Sequence, residues 1–136
     1  MRLDKLTTAF QQALGDAQSA AVARDNPYIE PAHLLAAMLE QPDGPKSLLE
    51  RAGANTGALA VAMETAIRNL PQVQGGSQPV QPGRDLLQLF QAADKEASKR
   101  GDQFLSSEMF LLALADAKND IGGIVRGHGL SRKAYL

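Results

Sequence analysis

Apolar positions recur along this chain at three- and four-residue steps, interrupted by short polar and proline-bearing turns. Leu3, Leu6, Phe10, Leu14, Ala17 and Ala21 mark one face of a long helix over about Leu3 to Ala23, because side chains three and four apart share a helix face. Pro27 disfavours helical geometry at Asn26 and closes that helix. Tyr28 and Ile29 follow as an apolar pair expected to plug the core. Pro31 suits a first helical turn, where its missing N–H is harmless, and the helix it opens runs to about Glu40. A short third helix is predicted over about Pro45 to Arg51, with Gly53 as its stop signal. A fourth, capped by Asn55 or Thr56, runs through about Asn69 and turns Leu59, Met63, Ala66 or Ile67, and Leu70 inward.

The pattern then starts again. A constant shift of 76 positions, the step from Tyr28 to Phe104, sets Ile29 on Leu105, Leu34 on Phe110, Leu35 on Leu111 and Met38 on Leu114. The same shift sets Leu14 on Phe90, Ala17 on Ala93, Ala21 on Ala97 and Gly53 on Gly129. Such self-similarity reads as a duplicated helical unit. Repeat one covers about residues 1–70 and repeat two about 84–136, joined by a linker over 71–83 rich in Pro and Gly and expected to cross the surface. In the second repeat Leu86, Leu89, Phe90, Ala93 and Ala97 trace the long helix, Ser106 is the N-cap candidate for a helix from Met109 to Ala115, and Ile121 to Arg126 is a short helix. Ser131 to Leu136 reads as the start of an eighth helix, and because Leu136 falls on Ala60, mid-helix in the first repeat, the chain reads as a fragment of something longer. The expectation is a single all-α domain of eight helices, two four-helix repeats related by a pseudo-twofold axis.

Composition narrows the class. The chain has 136 residues, enough for one domain with a sizeable core. A net charge of −1 gives no overall pull toward nucleic acid or anionic lipid. The absence of cysteine excludes disulfides and thiolate metal sites. No stretch approaches the roughly 20 apolar residues of a membrane span, and the N-terminus lacks the apolar core of a signal peptide. These features lead to the expectation of a soluble, cytoplasmic module.

Candidate chemistry is sparse. The phosphate-cradling pattern GxxxxGK[ST] is missing, and Gly75-Gly76 and Gly122-Gly123 lack its strand-to-helix setting. His33 stands in an apolar helix with only His128 as a second histidine and no HExxH, so it reads as a histidine hydrogen-bonded near a helix start rather than a base or metal ligand. Ser106-Ser107 reads as a helix cap rather than a nucleophile. Lys95, Lys99 and Arg100 follow one helix edge among Asp94 and Glu96, a solvated face rather than a nucleic-acid patch. Met38, Met63 and Met109 sit at core spacings, with Met109 able to line a groove. The residues by themselves describe a non-enzymatic, metal-free helical module.

Several stretches carry a resemblance. The opening Met1-Arg2-Leu3-Asp4-Lys5-Leu6-Thr7, the run Asp25-Asn26 through Ile29-Glu30-Pro31 to His33-Leu34, Leu70-Pro71-Gln72-Val73, Val80-Gln81-Pro82, and Lys99-Arg100-Gly101-Asp102 through Phe104 to Ser106-Ser107-Glu108 resemble the N-terminal domain of the Clp family. Within that family the opening, Leu70-Pro71-Gln72-Val73 and the Arg100 to Glu108 run look like the ClpB disaggregases, heat-shock chaperones of the AAA+ class. The resemblance covers essentially the whole chain. It implies an eight-helix cap tethered to a two-ring ATPase that assembles as a hexamer, works with the DnaK chaperone system and threads aggregated polypeptides through its pore. ATP and Mg would belong to those rings, with no cofactor in this chain. The cap would bind exposed hydrophobic stretches of unfolded or aggregated proteins. Thr7, Asp102 and Glu108 match polar positions implicated in substrate handling, and Met109, Ala92 and Glu96 would line an apolar groove. Where some relatives carry leucine this chain has Ala92 and Glu96, a smaller and more charged wall. Each polar residue also has a plain structural reading: Thr7 in a first helical turn, Asp102 in a loop cap, Glu108 favoured by a helix N-terminus. The alternative within the family is a domain that docks one adaptor or one helix of a partner, as in proteolytic or secretion-associated relatives.

Overall fold

The computed structural model describes residues 5–41, 44–73 and 79–130. In chain order the elements are α1 (Thr8–Ala23), β1 (Tyr28–Ile29), α2 (Pro31–Leu39), α3 (Pro45–Arg51), α4 (Thr56–Arg68), β2 (Gln81–Pro82), α5 (Arg84–Lys99), α6 (Ser107–Asp116) and α7 (Asp120–Gly127). Side chains start several of the helices. Thr7, Asn55, Ser106 and Asn119 each accept a hydrogen bond from a backbone N–H three residues on, giving an otherwise unpaired helix-start donor a partner.

Helix ends follow one rule as well. After α1, Asp25 takes a left-handed φ of 58°, its N–H donates to Val22 O at 3.1 Å and the Asn26 N–H donates to Ala21 O at 2.9 Å. After α5, Gly101 takes φ 72°, its N–H donates to Ser98 O at 3.1 Å and the Asp102 N–H donates to Ala97 O at 2.9 Å. Both are the paired closure that satisfies the last helix carbonyls.

α1 packs on α2, α5 packs on α6, and α2 also packs on α4. Phe10 of α1, Phe90 of α5 and Phe110 of α6 meet with ring centroids 5.6 to 5.9 Å apart, all tilted at 45 to 47°. This cluster joins the two halves at the centre of one continuous core, with Leu34, Leu35, Met38, Leu86, Leu111 and Leu114 fully buried around it. The halves are also stitched at their edges. β1 pairs in parallel with β2, Tyr28 opposite Gln81 and Ile29 opposite Pro82. Leu6 bridges Leu105, with the Thr7 N–H donating to Leu105 O at 3.0 Å.

The expected architecture needs correction. The described residues hold seven helices, four before residue 70 and three after, not eight. The segment expected to start the eighth, residues 131–136, lies outside the described residues. The domain is all-α as expected, its two strand segments among the described residues being only two residues each. The pseudo-twofold pair of four-helix units is not what is found: α2 packs on both α1 and α4, whereas α6 has α5 and α7 beside it and no described counterpart of α4. A sequence repeat reports similar local elements, and says nothing on how they pack.

Local expectations shift too. α1 starts at Thr8, not near Leu3, because Thr7 caps it and Leu6 is held in the bridge to Leu105; Leu3 itself is outside the described residues. The expected plug is half right: Ile29 and Leu105 are buried, but Tyr28 is 54% exposed and Phe104 53%. Successive side chains of an extended segment point to opposite faces, so only one of each pair can enter the core. Of the 71–83 segment, the described ends are tied down. Asn26 Nδ2 donates to Pro71 O at 3.0 Å, the Val73 N–H donates to Asp25 O at 2.8 Å, and Gln81–Pro82 forms β2.

Candidate functional site

The six residues implicated by resemblance fall in different surroundings. Thr7 and Glu108 share a cleft of about 570 Å³ where the starts of α1, α3 and α6 converge, with Ser106, Leu48 and Arg51 also lining it. Thr7 Oγ1 accepts from the Phe10 N–H at 3.3 Å, so its hydroxyl already serves α1. Glu108 stands exposed in the first turn of α6, where a helix N-terminus favours a carboxylate.

Ala92 and Glu96 lie one turn apart on α5 and line a second cleft of about 530 Å³. Its floor is apolar, built from Leu89 and Ala92 of α5, Ala113 of α6 and Ala117 just beyond α6. Its rim is charged: Lys95, Glu96 and Lys99 come from α5, and Asp116 and Lys118 from the other wall. Arg100 donates from Nε and Nη2 to Glu96 Oε1 at 3.3 and 3.2 Å, drawing that carboxylate along α5. The far wall is fixed by Arg126, whose Nη1 donates to the carbonyls of Ala115 and Ala117, and by Asn119, which caps α7.

Met109 and Asp102 line neither cleft. Met109 is only 6% exposed and packs in the core. Asp102 is exposed in the turn after α5, with its backbone N–H committed to Ala97 O. The structure thus brings together Thr7 with Glu108, and Ala92 with Glu96, but leaves Met109 and Asp102 apart from both. Lys118 and Gln88, which also line the second cleft, were not singled out by the sequence. The available signal for Gln88 was its i, i+4 spacing from Ala92 on α5, whereas nothing local marks Lys118.

A buried polar chain lies elsewhere. The Glu30 N–H donates to His33 Nδ1 at 2.9 Å, so that nitrogen is unprotonated and His33 Nε2 donates to Asn26 Oδ1, also at 2.9 Å. Burial, helped by the positive charge of Arg24, holds the His33 imidazole below its ordinary range. Burial and the neighbouring Asp85 push the Glu30 carboxyl up. This agrees with a histidine hydrogen-bonded at a helix start. His128 is half-buried, and its Nδ1 is 2.8 Å from Ile124 O.

Among the described residues no three His, Asp or Glu side chains converge as metal ligands would. No helix among them is long and apolar enough to cross a membrane.

The family model of the Clp repeat (R) N-terminal domain matches residues 5–128. The chaperone protein ClpB of Pseudomonas putida is 42% identical over 135 residues, covering 98% of this chain and 16% of that protein. The chain thus spans about a sixth of the length of the curated relatives it matches. Among solved structures, the Hsp104 N-terminal domain from Candida albicans superposes with a TM-score of 0.83 at 21% identity, covering 96% of this chain and 86% of that one. A ClpV N-domain in complex with VipB peptide superposes with a TM-score of 0.79 at 22% identity, covering 96% of this chain and 82% of that one.

Proposed function

The chain belongs to the family of Clp repeat N-terminal domains, and on that premise we propose that it is a docking domain for polypeptide segments of a partner. The observation that carries this reading is the cleft between α5 and the end of α6, an apolar floor with a charged rim. Pockets for ligands are mostly apolar with a few placed polar groups. A peptide complex of a ClpV N-domain, a protein of the same fold, supports polypeptide as the ligand class. In this reading Ala92 and Glu96 contact the docked segment directly. Thr7 and Glu108 hold a second contact region in the neighbouring cleft, Asp102 adds a polar contact from the turn after α5, and Met109 supports the α6 wall from beneath.

A second reading rests on the 42% identity to the ClpB of Pseudomonas putida. In it the domain captures exposed hydrophobic stretches of unfolded or aggregated proteins for a ClpB-type disaggregase. The rest of such a protein would supply the ATPase rings with their ATP and Mg, the hexamer, the pore and the link to the DnaK system, in the cytoplasm. The chain's halves, residues 1–70 and 84–136, would then form one cap on that machine.

NMR titration of the labelled chain separates the readings. Saturable shifts around Ala92, Glu96 and Ala117 with a partner segment are expected. A single stoichiometric partner with indifference to unfolded chains favours docking of one partner. Comparable shifts with many unfolded proteins, absent with their folded forms, favour capture. No shifts at either cleft with any polypeptide would sink both.

A further inference from the structure

The rim of the α5–α6 cleft has a sign that neither α5 nor the loop reveals alone. Lys95 and Lys99 rise from one wall, and Lys118 comes from the other. All three are exposed, and among the described residues none is in an ion pair. Against these three cations the lining holds two carboxylates, Glu96 and Asp116, and Glu96 receives the Arg100 guanidinium. A chain of net charge −1 therefore carries a locally cationic frame around an apolar floor of Leu89, Ala92, Ala113 and Ala117.

We propose that the cleft selects acidic amphipathic polypeptide segments, whose small apolar face seats on the alanine floor while flanking Asp or Glu side chains meet Lys95, Lys99 and Lys118. The inference rests on the docking reading above and names the chemistry of its ligand. Charge complementarity identifies the occupant, since a rim of one sign steers and orients a partner of the other. The small floor residues argue the same way. A shallow alanine surface gains little from apolar contact alone, because buried apolar area sets that gain, so the rim must contribute a larger share of the selectivity. A nucleic acid would meet the same lysines, but the described lining holds no aromatic side chain on which a base could stack.

The test compares three synthetic peptides with one apolar face and with Glu, Gln or Lys at the flanking positions, titrated against the chain by calorimetry and NMR. The acidic peptide is expected to bind tightest and the basic one weakest, and raising salt from 0.1 to 0.5 M should narrow the gap. The triple variant K95E/K99E/K118E, confined to exposed side chains and checked for unchanged helical content, should weaken the acidic peptide roughly tenfold and improve the basic one. Equal binding of all three peptides, or an order unchanged in the variant, overturns the inference while leaving the docking reading standing. Failure of every peptide to shift Ala92, Lys95 or Lys118 removes both. An oligonucleotide of matching charge that binds as tightly as the acidic peptide also overturns it, because charge alone would then suffice.

Discussion

His33 Nε2 sits 2.9 Å from Asn26 Oδ1, both side chains buried, and through this bond the start of α2 holds the turn that follows α1. Asn26 passes the hold on to Pro71 O, so three separate stretches depend on one neutral imidazole. Under the 76-residue shift the matching positions are Asp102 and Met109, and a methionine side chain has no N–H with which to repeat the bond.

That dependence predicts a pH effect. Burial holds the folded His33 below the ordinary value of 6.5. As pH falls below 6.5 the unfolded chain takes up a proton that the folded chain refuses, so stability is full above that value and declines toward the lower folded pKa. Urea melts at pH 7.5 and pH 5 should show the loss, and His33→Gln should flatten it. The same variant is expected to cost about 1–3 kcal/mol at pH 7.5, because the Glu30 N–H and Asn26 lose a well-placed partner.

The left-handed closures after α1 and α5 predict opposite outcomes for exchanged residues. Asp25 holds a φ of 58° that glycine adopts more easily. Asp25→Gly is therefore expected to raise stability or leave it level, within about 1 kcal/mol, whereas Gly101→Asp should lower it by about 1 kcal/mol. Thermal melts of the two variants check the sign of each.

Adjacent glycines in α7 differ just as sharply. A Cβ on Gly122 would overlap the Ala117 carbonyl, a backbone atom that cannot move cheaply, while a Cβ on Gly123 meets nothing within 4 Å. Gly122→Ala should destabilise by about 1–3 kcal/mol, and Gly123→Ala should stabilise by about 0.5–1 kcal/mol as a helix interior loses a glycine. Because Ala117 is part of the cleft wall, Gly122→Ala should also move the NMR signals of Lys118 and Asn119.

At the core, Phe110 touches both Phe10 and Phe90. Phe110→Ala is expected to cost about 3–5 kcal/mol. A double-mutant cycle with Phe10→Leu and Phe90→Leu should return a coupling of about 0.5–1.5 kcal/mol, the excess of a tilted ring pair over its buried area. Additive losses would show that the rings fill space without acting on each other.

Periodicity and cap chemistry are local, and they made much of the helical layout legible. The steps of Phe10, Leu14, Ala17 and Ala21 marked the buried face of α1, and Ser106 marked the start of α6. The repeat in sequence likewise placed a second long helix through Leu86 and Ala97, and the observed α5, Arg84–Lys99, is the observed range of α1 shifted by 76 positions. None of these signals fixes what faces what. Tyr28 and Phe104 read as core plugs because they are apolar, yet the extended backbone turns them outward. Met109 read from its spacing as a core residue and is buried as one, while its place in a groove wall came only from the family resemblance. The number and arrangement of helices was likewise beyond a pattern that describes each unit separately.

The candidate site shows the same division. Sequence alone determined a helical chain with a doubled motif, a basic edge at Lys95 and Lys99, and the residue types of the Clp repeat family. Only the tertiary structure decided that Lys118, about one helix and a loop further along, stands across an apolar cleft from that edge, and that Thr7 and Glu108 belong to a different one. The physical reason is one of range. Helix formation, capping and chain reversal are set by neighbours a few residues apart, whereas a cleft is made by the packing of distant segments whose rotation depends on the whole core.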